Sequence, residues 1–134
     1  NMLSVVDYGV NVLKIDHLIV CGHYGCGGVK AAMGPEFGGP AASWVREIRD
    51  VARIHNAELS SISDEQARFD RLVELNVAEQ VYDLSRTAVL RDAWTKGRKI
   101  QVHGWVYSLG DGLIKDLGVT RNKYESEVGA VDVD

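Results

Sequence analysis

The sequence predicts an α/β fold in which a mainly parallel β-sheet is flanked by helices, with a hairpin strand at one edge. Three observations carry that prediction. Two compact, largely β-branched runs, "HLIVCG" at 17–22 and "KIQVHGWVYSL" at 99–109, read as buried strands. Helical periodicity fills most of the chain between them. A connection of that length joins parallel neighbours most readily, in a right-handed crossover.

Taken in order, residues 3–13 put Leu3, Val6, Val10 and Leu13 on one face at the spacing of an amphipathic helix. The first strand then runs into "GCGG", a turn, and "VKAAM", a short helix. "GPEFGGP" at 34–40 holds both prolines and reads as a loop. Residues 41–58 direct Trp44, Val45, Ile48, Val51, Ala52 and Ile54 toward a core. Ser63 and Gln66 have the spacing of a capping box, opening a helix that carries Phe69, Leu72, Val73, Leu75, Val77 and Val81. A further helical piece, Ala88 to Trp94, stops at Gly97. After the second strand, Asp111 and Gly112 mark a turn into "LIKDL". From Arg121 the chain is polar and acidic, and Glu125, Glu127, Asp132 and Asp134 read as a solvated tail over 121–134. Two parallel strands and one hairpin partner make a thin sheet, so the first strand is expected to lack a neighbour on its N-terminal side. A partner subunit or an upstream segment would supply it.

At 134 residues the chain is read as a single domain, 1–134, and its 46% apolar and 25% charged residues are those of a soluble globular protein. A net charge of −4 argues against nucleic-acid binding, which needs a basic face; the short cluster "RDAWTKGRK" reads as a solvated helix end. The longest strongly apolar run, Leu18 to Cys21, is far too short to span a bilayer, so no membrane partner is expected. Two cysteines make no disulfide framework, which favours a reducing, cytoplasmic setting, or an organelle if a transit peptide was removed. The opening Asn-Met-Leu reads as a cut rather than a native start.

The chemistry concentrates in "HLIVCGHYGCGGVKAAM", residues 17–33. His23 and Cys26 stand two residues apart at the carboxyl end of a strand, the edge where open α/β sheets bind ligands. Imidazole nitrogen and thiolate sulfur suit zinc, and one tight turn brings both to one ion. Gly25, Gly27 and Gly28 let the backbone fold closely around it. Two other readings stand beside this one. Cys21 and Cys26 could be small buried residues, with His23 capping the next helix. Alternatively, the glycine-rich loop could cradle an anion at a helix N-terminus, although it lacks the G-K-[ST] and G-x-G-x-x-G patterns.

"SVVDYGVNVLKIDHLIVCGHYGCGGVKAAM", with "ELNVAEQVY" and "HGWVYSLGDGLIKDL" after it, closely resembles the β-class carbonic anhydrases, especially their bacterial-type branch, over roughly residues 1–120. The resemblance implies a parallel-sheet fold assembled as a homodimer or tetramer. It also implies one Zn2+ per complete site, with carbon dioxide and bicarbonate as the ligands interconverted. By motif, His23 and Cys26 match the H-x-x-C zinc ligands, and Gly27 and Gly28 lie where substrate would bind. Cys21 falls at a non-ligand position and is expected in the core. Tyr107 matches a tyrosine that helps hold a non-catalytic, inhibitory bicarbonate. The family's remaining cysteine ligand and its catalytic Asp–Arg pair come from an upstream C-x-D-x-R motif that this sequence does not contain. The resemblance therefore implies the C-terminal portion of such an enzyme, impaired on its own. The rival reading is a non-catalytic assembly subunit. His103 is expected to be a structural histidine, His17 and His55 exposed, and Trp44 and Trp94 in the core or an interface.

Overall fold

A computed structural model describes residues 1–125. The first helix, α1 (Met2–Asp7), passes directly into a π-helical turn over Tyr8–Val12. Strand β1 (His17–His23) follows, then α2 (Gly27–Met33), α3 (Pro40–Ile54), α4 (Asn56–Ser60), α5 (Glu65–Ser85), α6 (Ala88–Thr95), β2 (Gln101–Tyr107) and β3 (Ile114–Asp116). The sheet order is β1-β2-β3. β1 and β2 are parallel, from His17 opposite Gln101 to His23 opposite Tyr107. β3 returns antiparallel, with Ile114 opposite Tyr107. The mixed three-stranded sheet with helices is the predicted fold class, and among the described residues β1 has no neighbour on its outer edge.

The long helix α5 is the keel. It packs against β1 and β2 and separates two apolar clusters. One joins Val29, Val45, Ile48, Leu72, Val73, Val77 and Val106; the other joins Val6, Val10, Val81, Leu90, Ile100 and Val102. Close approach to the sheet requires glycine at two inward positions. A Cβ on Gly22 would stand 2.6 Å from Val77 Cγ2, and one on Gly104 would stand 2.7 Å from Val119 and 3.1 Å from Val81.

Several sequence expectations need correction. β1 is not covered on both faces: Leu18, Val20 and Gly22 face inward, while His17, Ile19, Cys21 and His23 alternate outward and are exposed. Cys21 is thus not a core residue. Its apolar setting in sequence reflects a face that no described element covers. Leu3 and Leu13 are exposed, and of the four predicted positions only Val6 and Val10 face inward; the π-helical turn over Tyr8–Val12 shifts the register before Leu13. Ile54 ends α3 in solvent, and Trp44 is 57% exposed. Asp64, not Ser63, caps α5 by accepting from the Ala67 amide, while Gln66 donates instead to Asp70. His55 is half-buried and meets Glu79 Oε1 at 2.7 Å. Arg121 is no loose tail residue; it bridges Val102 on β2 and pairs with Glu125. Glu127, Asp132 and Asp134 lie outside the described residues.

Other readings hold. Gly97 closes the α6 end at φ 84°. Asp111 Oδ1 accepts from the Leu113 amide, and Gly112 takes φ 72° in the predicted turn. Trp94 is half-buried and donates to the Ile100 carbonyl. His103 is satisfied on both ring nitrogens, by His17 Nδ1 at 3.0 Å and by the Thr120 hydroxyl at 2.9 Å. His17 is exposed as expected, but this bond gives it a partner. No helix among the described residues is long and apolar enough to cross a membrane.

Candidate metal centre

His23 is the last residue of β1 and sits at the carboxyl edge of the sheet, exposed. Its Nδ1 lies 2.9 Å from the Tyr24 carbonyl oxygen. A carbonyl only accepts, so Nδ1 carries a proton, and in the neutral form of the ring the lone pair is on Nε2. This is the tautomer a metal-ligating histidine adopts when its other nitrogen is held by the backbone. The side chain bonds its neighbour's carbonyl and does not cap the next helix.

Gly25, at φ 70°, turns the chain back, a conformation that a residue without Cβ adopts freely. Cys26 then takes an extended conformation at the N-cap of α2, and its carbonyl accepts from the Lys30 amide. Its thiol is free and half-buried. Gly27 and Gly28 differ. A Cβ on Gly27 would meet nothing within 4 Å, whereas one on Gly28 would stand 2.4 Å from the Trp44 ring. Gly28 therefore seats α3 against α2, and Trp44 lies on that glycine despite its exposure.

The ends of this loop are clamped by residues that sequence reasoning did not single out. The Arg49 guanidinium on α3 donates to the carbonyls of Ala31, Ala32, Gly34 and Pro35, closing the C-terminal end of α2. Tyr24 donates its amide to the Tyr107 carbonyl at 3.0 Å and its hydroxyl to Glu74 Oε1 at 2.6 Å. Glu74 also accepts from Lys115 Nζ at 3.1 Å and from Arg71 Nη1 at 3.0 Å. Burial would raise the Glu74 pKa, but the hydrogen bonds from Tyr24, Lys115 and Arg71 outweigh it and hold the carboxyl below its usual range. Burial, with Glu74 next, pushes the Tyr24 phenol well above its own. No spacing rule marks Glu74 or Arg49; only packing of α5 and α3 against the loop reveals them.

His23 and Cys26 fit zinc in donor type. Among the described residues, however, no group of three or more His, Cys, Asp or Glu converges into a metal site. Tyr107 ends β2 half-buried, opposite His23 in register.

A family model described as carbonic anhydrase matches residues 1–114. A solved Coccomyxa β-carbonic anhydrase, in complex with acetazolamide, superposes with a TM-score of 0.85 at 37% identity, covering 92% of this chain and 56% of that one. The chain belongs to the β-carbonic anhydrase family. A carbonic anhydrase of Emericella nidulans is 49% identical over 117 residues, 87% of this chain and 51% of its own length. One of two tetrameric β-carbonic anhydrases from Sordaria macrospora has a TM-score of 0.81 at 34% identity, covering 90% of this chain and 61% of that one. The chain thus spans about half the length of the β-carbonic anhydrases and relatives it matches.

Proposed function

We propose that this chain supplies two ligands, His23 through Nε2 and Cys26 through its thiolate, to the zinc site of an enzyme that reversibly hydrates carbon dioxide to bicarbonate and a proton. The observation that carries the reading is the His23 ring, fixed at Nδ1 by the Tyr24 carbonyl so that Nε2 is free at the sheet edge, with Cys26 one turn further on. When bound, zinc supplies Lewis-acid activation of water at neutral pH. The chain's own residues then have separate tasks. His23 and Cys26 hold the ion, Gly25 sets the turn between them, and Gly27 leaves open space for a small substrate. Gly28 supports the site by keeping α2 against Trp44.

A catalytic zinc site needs three protein ligands and an open position, so the third ligand and the Asp–Arg pair come from residues beyond those described. On its own the chain binds zinc weakly. Tyr107 is proposed to contribute to a regulatory bicarbonate site, and the working assembly to be a homodimer or tetramer, as the tetrameric Sordaria relative supports. Two free cysteines favour a reducing, cytoplasmic setting. A second reading is a non-catalytic assembly subunit without a complete zinc site.

Cobalt substitution tests the site directly. Co(II) added to the chain is expected to give a thiolate-to-metal absorption band that disappears in Cys26→Ala and weakens in His23→Ala. The same band in Cys26→Ala would assign the metal to other residues.

A further inference from the structure

The strongest cluster of polar side chains outside the two ligands is centred on Glu74, which is only 13% exposed at its side chain yet meets three donors. None of those donors is a ligand. The link to the loop runs through Tyr24, which is anchored at three points. Its amide donates to the Tyr107 carbonyl, its hydroxyl donates to Glu74, and its carbonyl accepts from His23 Nδ1. The first two anchors lie on different elements, β2 and α5, so together they fix how residue 24 is turned. The third contact then points where the first two allow. Immediately after it comes Gly25 at φ 70°, a pivot with no Cβ contact within 4 Å.

We infer that Glu74 and Tyr24 are positioning residues that, through the Tyr24 carbonyl, select the His23 tautomer with a free Nε2. Lys115 and Arg71 hold the Glu74 carboxylate in register for the Tyr24 hydroxyl, with Lys115 bringing the β3 hairpin into the same arrangement. The inference rests on the reading of His23 as a ligand, but the tautomer exists without metal and is measured without it. Hydrogen-bond partners of a ligating imidazole alter metal affinity by roughly 10–100-fold, and a group acting one bond further away is expected near the lower figure.

The test is a long-range proton–nitrogen correlation spectrum of the imidazoles in the zinc-free chain, with His23 assigned through His23→Gln. At a pH high enough for the imidazole to be neutral, the wild-type chain is expected to show a protonated Nδ1 and an unprotonated Nε2. Tyr24→Phe, which removes one oxygen and keeps the ring, is expected to average the two tautomers, and Glu74→Gln to move the spectrum the same way. Zinc affinity of Tyr24→Phe, read by chelator competition, is expected to fall about 10-fold. Thermal unfolding of each variant separates this from loss of structure. A merely structural bond would lower the melting temperature and leave the His23 nitrogen shifts unchanged, which would overturn the inference. A wild-type His23 that is already averaged would also overturn it. If the tautomer responds as expected but zinc leaves the His23 shifts untouched, the positioning stands and the ligand reading fails.

Discussion

Gly28 shows how a single residue's role can differ from the role its neighbours suggest. Its place beside Cys26 in a glycine-rich turn points to substrate, yet the room a side chain would need is filled by Trp44 at 2.4 Å. Gly28→Ala is expected to cost about 1–3 kcal/mol, as overpacking does. Adding Trp44→Ala should recover part of that loss in chemical denaturation, and full additivity of the two changes would contradict the contact. Glu74 yields a pH prediction. Its folded pKa lies below the ordinary value of 4.5, so its contribution to stability is complete above that value and is lost as pH falls through the folded pKa. The stability difference between wild type and Glu74→Gln should therefore hold from neutral pH to about 4.5 and shrink below it; a difference flat down to the acid transition would contradict the account. Spacing and donor type are what single out His23 and Cys26 in the sequence as candidate ligands. Cys21 was misread because a strand's apolar run reports what covers the face in the assembled protein, and among the described residues nothing covers it.

At the scale of elements, the two strands, α5, α6 and the hairpin turn were readable from period, β-branching and turn residues. Boundaries failed where competing local chemistry decides them. Asp64 displaced Ser63 as the cap because its carboxylate reaches the Ala67 amide at 2.7 Å. Asp64→Ala is expected to lower stability by about 1 kcal/mol, measured by urea denaturation. The π-helical turn after α1 has no signature in the hydrophobic pattern, which fits a plain helix until side chains are placed. Arg49 was equally silent in sequence, since its four carbonyl partners lie on a different helix and its loop. Arg49→Lys would keep the charge but not the fork, and is expected to cost about 1.5–3 kcal/mol. A loss under 0.5 kcal/mol would show that the α2 end does not depend on the clamp.

On the whole-molecule scale the sheet formed by the described residues is three strands wide, with β1 on its edge and an outward face carrying Ile19 at 47% exposure beside Cys21 and His23. Met2, Leu3, Val5, Val12 and Leu13, in and just after the N-terminal helix, are exposed as well. The strand count predicts a sheet short of a neighbour and the resemblance implies a zinc site short of a ligand; β1, which ends at the candidate ligand His23, has no neighbour on its outer edge among the described residues. What the sequence could not provide was the support behind the two candidate ligands, because Tyr24, Glu74 and Lys115 meet, and Arg49 reaches the end of α2, only through tertiary packing. The central claim is that this chain holds part of a zinc site and not all of it. Zinc per chain by elemental analysis, with the intact mass of the same sample after dialysis against a weak chelator, tests it most directly. The account predicts well under one zinc at the mass of these 134 residues, with the remainder lost in His23→Ala and Cys26→Ala. One tightly held zinc at that mass, retained in either variant, would contradict it.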